Sequence, residues 1–160
     1  MLKACDNPEK KLFTIQLVGT NGKGSTAAML ASILNEKYKV GLFTSPHLVD
    51  YKERIRVNIK KIKKKEVEVF LQKYHKNIKI IQPSFFEIMT TMSVWYFYKN
   101  KVDVAILETG LGGRLDSVTC CDNNILGYTN IDFDHQHILG DSIKKIAKEK
   151  AFAMVNSNQQ

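Results

Sequence analysis

The segment Val18-Gly19-Thr20-Asn21-Gly22-Lys23-Gly24-Ser25-Thr26 lies between an apolar run and a helix-like stretch. Few arrangements constrain a fold more tightly. Glycines let the backbone wrap closely around an anion, and a following helix aims unpaired N–H groups at it. A lysine adds a point charge, and a hydroxyl offers a ligand for magnesium. We therefore read Gly19, Thr20, Asn21, Gly22, Lys23, Gly24, Ser25 and Thr26 as a phosphate-binding loop joining a strand to a helix. The loop departs from the usual G-x-x-x-x-G-K-[ST]: Leu17 stands at the first glycine position, and Gly24 separates Lys23 from Ser25. Taken alone, it also reads as a plain glycine-rich turn.

Apolar runs recur along the chain with turns or helical stretches between them. Strands are expected at Leu12–Val18, Val40–Thr44, Val102–Leu107 and Ile125–Thr129, the last two as fully buried parallel strands. A short strand is expected within Arg54–Ile59. Helices are expected over Ser25–Lys37 and over Lys65–Asn77, the latter with Val67, Phe70, Leu71 and Tyr74 on one face. Another starts at Ser84, where Glu87 three residues on completes a capping box, and buries Phe85, Ile88, Met89, Met92 and Tyr96. Asp141 is expected to cap the last helix, beyond which 155–160 reads as frayed. This alternation predicts a three-layer α/β fold, a mostly parallel sheet with helices on both faces. Its 160 residues suit one domain, 1–160.

No apolar run approaches the roughly 20 residues of a membrane span, and the N-terminus lacks the apolar core of a signal peptide. Three cysteines, two of them adjacent, make neither a disulfide framework nor a zinc site. They read as small apolar side chains in a reduced, cytoplasmic setting. Residues 52–79 hold eleven Lys and Arg against three acids, so the net charge of +8 is carried there. No aromatics or recognised motif interleave with Lys60-Lys61-Ile62-Lys63-Lys64-Lys65. A solvated lysine-rich face is therefore preferred to nucleic-acid binding.

In open parallel sheets ligands bind beyond the carboxyl ends of the strands. The four main strands end in Lys23 and Ser25; in Thr44-Ser45-Pro46-His47; in Glu108 and the run Gly110–Asp116; and in Asn130, Asp132, Asp134 and His135. Glu108 ends a buried run, where a carboxylate is costly unless paired or metal-bound. The last helix carries Ile143, Ile146 and Ala147 on one stripe, and Lys150 continues it. Burial would lower the pKa of Lys150 and free its amine to take up CO2 as a carbamate, a carboxylate-like metal ligand. The alternative is that Lys150 snorkels to solvent.

These segments occur in a known order. Gly19-Thr20-Asn21-Gly22-Lys23-Gly24-Ser25, Ser45-Pro46-His47-Leu48, Glu53-Arg54-Ile55-Arg56-Val57, Phe86-Glu87, Glu108 to Asp116, Asp134-His135 with Leu139-Gly140, and Glu149-Lys150-Ala151 resemble the folylpolyglutamate and dihydrofolate synthases of the Mur ligase superfamily. The resemblance runs from about residue 12 to 152. It implies a P-loop NTPase-like Mur ligase central domain. It implies ATP and Mg2+, with folate or dihydropteroate and L-glutamate as substrates joined through an acyl phosphate. Gly22, Lys23 and Gly24 would wrap the phosphates with Ser25 beside the metal. Ser45 and Glu108 would hold one magnesium, His135 and carbamylated Lys150 a second. Lys23, Glu108, His135 and Lys150 are thus the expected catalytic residues.

The family pattern is not met throughout. The helical segment before the first strand is short, and Thr119-Cys120 stands where the family has Thr-Asn. Lys-Ala-Gly is replaced by Lys150-Ala151-Phe152. The resemblance leads us to expect a truncated monomer that needs a C-terminal, glutamate-binding domain for activity. A catalytically silent ATP-binding module is the runner-up, and another Mur-type ligase comes third.

Overall fold

The computed structural model describes residues 1–121 and 123–156. Two 3-10 turns, Leu2–Cys5 and Pro8–Lys11, precede β1 (Thr14–Val18), α1 (Lys23–Leu34) and β2 (Val40–Phe43). A 3-10 turn at Tyr51–Arg54 leads into the hairpin of β3 (Ile55–Val57) and β4 (Lys60–Lys61). Then follow α2 (Lys64–Ile81), α3 (Phe85–Lys99), β5 (Val104–Glu108), a 3-10 turn (Ser117–Cys120), β6 (Ile125–Tyr128), α4 (Gln136–Leu139), α5 (Ile143–Ala151) and a closing 3-10 turn (Phe152–Asn156). Fraying is expected from Val155 on, but Val155 and Asn156 belong to this closing turn, and 157–160 lie outside the described residues.

The sheet has the order β4-β3-β2-β5-β1-β6. Its four main strands run parallel, with Leu17 beside Glu108 and Phe43 beside Leu107. All four therefore end on one rim. The expected short strand exists but is antiparallel, turning back on β2 with Phe43 beside Ile55. Alternate residues of the central strands feed two cores, which is what makes three layers. Ile15, Leu17, Val104 and Ile106 pack under α1 with Ala27 and Ala31. Phe43, Ala105 and Leu107 pack under α2 and α3 with Phe70, Met89, Met92, Trp95 and Phe97.

Several expectations need correction. β6 is half-exposed because it is an edge strand, with only β1 as neighbour. Leu71 and Phe85 are exposed rather than buried: Leu71 is off the narrow buried stripe of α2, and Phe85 opens α3 at the rim. Ser142, not Asp141, caps α5 by accepting from the Lys145 N–H, and Asp141 pairs with the Lys145 side chain instead. Cys5 and Cys121 are buried, whereas Cys120 is exposed. The capping box of Ser84 and Glu87 is present as read, with each side chain bonded to the other's backbone N–H.

Candidate functional site: a charged rim around the glycine loop

The loop between β1 and α1 is shaped by the segment leaving β6. A Cβ on Gly19 would meet Thr129 Oγ1 at 1.9 Å, so only glycine fits that approach. Gly22 has φ of 78°, the left-handed region glycine enters without strain. Asn130 accepts the Thr20 N–H on its carbonyl (2.9 Å) and the Asn21 N–H on its side-chain oxygen (2.7 Å). The Thr20 hydroxyl donates to the Asp132 carbonyl and accepts its N–H, both at 3.0 Å. Thr129 Oγ1 donates to the Asn21 carbonyl at 2.7 Å. The loop is thus held in place by a distant segment. No side chain caps the start of α1, which leaves a helix N-terminus suited to an anion.

Two lysines converge on this loop. Lys23 Nζ donates to the carbonyls of Gly19 (3.0 Å) and Thr20 (3.1 Å), and Lys150 Nζ donates to the same Gly19 carbonyl at 2.8 Å. Lys150 is only 2% exposed. Burial first, and the Lys23 ammonium second, push its pKa below the ordinary lysine value. The helix stripe placed it correctly, and the snorkelling alternative fails. Its carbonyl is itself clamped: Tyr128 donates to it at 2.9 Å, and Gly113 lies so close that a Cβ would stand 2.7 Å away.

Glu108, at the end of β5, is 4% exposed. Burial pushes its pKa up, opposed by the backbone N–H groups of Ser45 and Gly24 and by the charges of Lys23 and Arg54. The Ser45 N–H donates to its Oε2 at 2.9 Å. A Cβ on Gly24 would sit 3.3 Å from that same oxygen. The carboxylate therefore lies against the first turn of α1, beside the expected phosphate position.

The gathering is not complete. Ser25 is exposed. His135 is the N-cap residue of α4 and pairs with Asp134 at 3.4 Å, whose charge in turn reaches Lys150. Among the described residues, no three His, Cys, Asp or Glu side chains form a metal cage. The oxygens of Glu108, Ser45 and Ser25 nevertheless suit magnesium, which binds one or two carboxylates and otherwise relies on water and phosphates.

Further polar residues lie at the rim and, in the case of Gln16, within the sheet beneath it, and the sequence did not foretell their contacts. Asp116, buried, accepts the N–H groups of Leu111 (2.8 Å) and Val118 (2.9 Å), and burial raises its pKa. Arg114 binds both carboxylate oxygens of Glu149 at 3.1 Å. Beside them opens a cleft of about 290 Å3 lined by Phe86, Arg114, Asp116, Leu139 and Glu149. Gln16, fully buried within β1, donates from Nε2 to Thr109 and Thr119 (both 3.0 Å) and accepts from Asn123 at 2.8 Å. Arg54 is also buried beside Glu108. A polar residue inside an apolar strand was the one sequence signal for Gln16, and Arg54 gave none beyond its place in a motif.

A parallel sheet whose strands end on an uncapped helix, two lysines and a buried carboxylate defines the class: an α/β protein with a P-loop-like phosphate site. No protein-family model matches the chain. It is 42% identical over 153 residues to the dihydrofolate synthase/folylpolyglutamate synthase of Bacillus subtilis, covering 91% of this chain and 36% of that protein. It is 39% identical over 140 residues to the Escherichia coli protein of the same description, covering 87% and 33%. The apo form of L. casei FPGS superposes with a TM-score of 0.87 at 34% identity, over 96% of this chain and 39% of that one. E. coli FolC in complex with DHPP and ADP gives 0.87 at 36% identity, over 95% and 38%. The chain belongs with the folylpolyglutamate and dihydrofolate synthases, matching their N-terminal portion. It spans about a third of the length of these curated relatives.

Proposed function

We propose that this chain is the nucleotide-binding part of a cytoplasmic ATP-dependent ligase that adds L-glutamate to a folate or dihydropteroate carboxylate. The observation that carries this reading is the meeting of Lys23, Lys150 and Glu108 on one glycine loop. In such a reaction the acceptor carboxylate, anionic like its target, attacks the ATP γ-phosphate and expels ADP, and the glutamate amine then opens the acyl phosphate, giving an amide, inorganic phosphate and a proton. Lys23 and the uncapped turn of α1 would bind the phosphates and offset their charge. Gly19, Thr20, Asn21, Gly22, Gly24 and Thr26 shape that cradle. Glu108, Ser45 and Ser25 would hold magnesium, which when bound supplies Lewis-acid neutralisation of the phosphates. His135 would join through the segment carrying Asp134, and Lys150 as a carbamate, for which its depressed pKa is the chemical precondition.

Calorimetry with ATP and Mg2+ tests this. Lys23→Ala should weaken ATP binding by about 2 kcal/mol, the scale of a lost charge-assisted contact. Unchanged affinity would reject the loop assignment. A second reading is a module that binds ATP but turns nothing over by itself. ATP binding without pteroate- and glutamate-dependent phosphate release would select it.

A further inference from the structure

Arg54 is 9% exposed, yet among the described residues its guanidinium makes no ion pair. Its placement is tightly fixed. Asp50 caps the turn that carries it by accepting the Lys52 N–H at 3.0 Å, and the Thr44 N–H donates to the Arg54 carbonyl at 3.0 Å. In the side chain, Nε donates to His47 Nδ1 at 2.9 Å, and the guanidinium carbon lies 5.4 Å from the centre of the Phe85 ring. Burial lowers its pKa, and the nearby charge of Glu108 is the opposing influence. Glu108 already accepts N–H groups from Ser45 and Gly24.

A buried cation is stable only if paired, and a guanidinium presents a flat fork that matches the two oxygens of a carboxylate. The phosphates of a nucleotide already have partners in α1 and Lys23. Phe85, 53% exposed at the same spot, offers an aromatic surface beside the fork. We propose that Arg54, pinned by His47 and packed on Phe85, binds the carboxylate of an aryl-carboxylate acceptor next to Glu108. This rests on the ligase reading and assigns one of its substrate contacts.

The test is calorimetry on the full chain with pteroate, its decarboxylated counterpart, ADP and ATP, each titrated separately. Wild type should prefer pteroate over the decarboxylated compound. Arg54→Met should remove that preference and weaken pteroate binding roughly tenfold or more, with ADP affinity held within about twofold. Arg54→Lys, which keeps the charge but loses the fork, should fall between. The melting temperature of the Met variant should hold or rise, because a buried unpaired charge is replaced by an apolar chain of similar size. A preference that survives in Arg54→Met, or is missing in wild type, overturns the proposal. So does a loss confined to ATP, which would assign the guanidinium to the γ-phosphate. Failure of wild type to bind ADP, with the pteroate preference intact, would instead count against the nucleotide reading.

Discussion

Two buried polar clusters lie a few residues apart and differ in one respect. Around Gln16 every side-chain hydrogen-bonding group of the glutamine has a partner: two hydroxyls on its amide nitrogen and Asn123 on its oxygen. At the rim, Glu108, Lys150 and Arg54 are also buried, but each is charged and each is pushed by burial toward its neutral form. A neutral network whose central glutamine is fully partnered holds a fold together, although Asn123 Oδ1 at its edge is buried without a hydrogen bond. Buried charges without full partners cost stability, and they are kept where a ligand of opposite charge completes them. The two clusters are connected, since Thr109 follows Glu108 directly, so the stable one positions the costly one.

The largest test of this contrast is Gln16→Leu. It removes the partner that Thr109, Thr119 and Asn123 share, at about 1–3 kcal/mol for each buried group this leaves unsatisfied. Urea denaturation should show a loss of roughly 3 kcal/mol or more. A loss under about 1 kcal/mol would mean the network is not structural.

Glu108→Gln should do the opposite. Its raised folded pKa means that the native state holds the proton more tightly than the unfolded chain. Stability should therefore fall as pH rises from the unfolded value near 4.5 through the folded one. In the glutamine variant that slope should vanish. At neutral pH the free chain should hold or gain about 1 kcal/mol, roughly 2–4 °C in melting temperature. Magnesium should cease to strengthen nucleotide binding. A variant that melts lower and still responds to magnesium would break the comparison.

The smallest effect concerns Glu53, a carboxylate completed by local partners. It accepts the N–H groups of Leu48 and Val49 and pairs with Lys61 at 3.1 Å, which lowers its pKa to about 2. Its contribution is present above the unfolded value of 4.5 and is lost as pH falls through about 2. Hydrogen exchange should show protection at Leu48 and Val49 decaying across that window. In Glu53→Gln the protection should be weak at every pH. Protection that survives acid would place the restraint elsewhere.

Much of this was legible in sequence, for local reasons. The capping box of Ser84 and Glu87 needs only a three-residue spacing. The stripe with Ile146 made the burial of Lys150 one of two open readings, and the structure decided for it even though Ile143 on that stripe is exposed. The glycine loop announces itself because glycines, a lysine and a hydroxyl stand together between a strand-like run and a helix-like one. Other features were not legible, since they depend on partners far along the chain. The buried Arg54 fork is created by the β3 hairpin folding back on β2 beside Glu108. Whether Ser142 or Asp141 caps α5 is decided by the path of entry to that helix. β6 reads as a buried strand, and only its position at the sheet edge exposes it.

The amino acids by themselves set the order of strands and helices, the phosphate loop and the identity of the charged groups, because these follow from periodicity and from the geometry of neighbouring residues. Tertiary structure alone decided that Lys23 and Lys150 share the Gly19 carbonyl, and that Asn130 and Thr129 mould the loop. The physical reason is the parallel sheet: it brings the ends of β1, β2, β5 and β6 to one rim, and no local interaction encodes that juxtaposition.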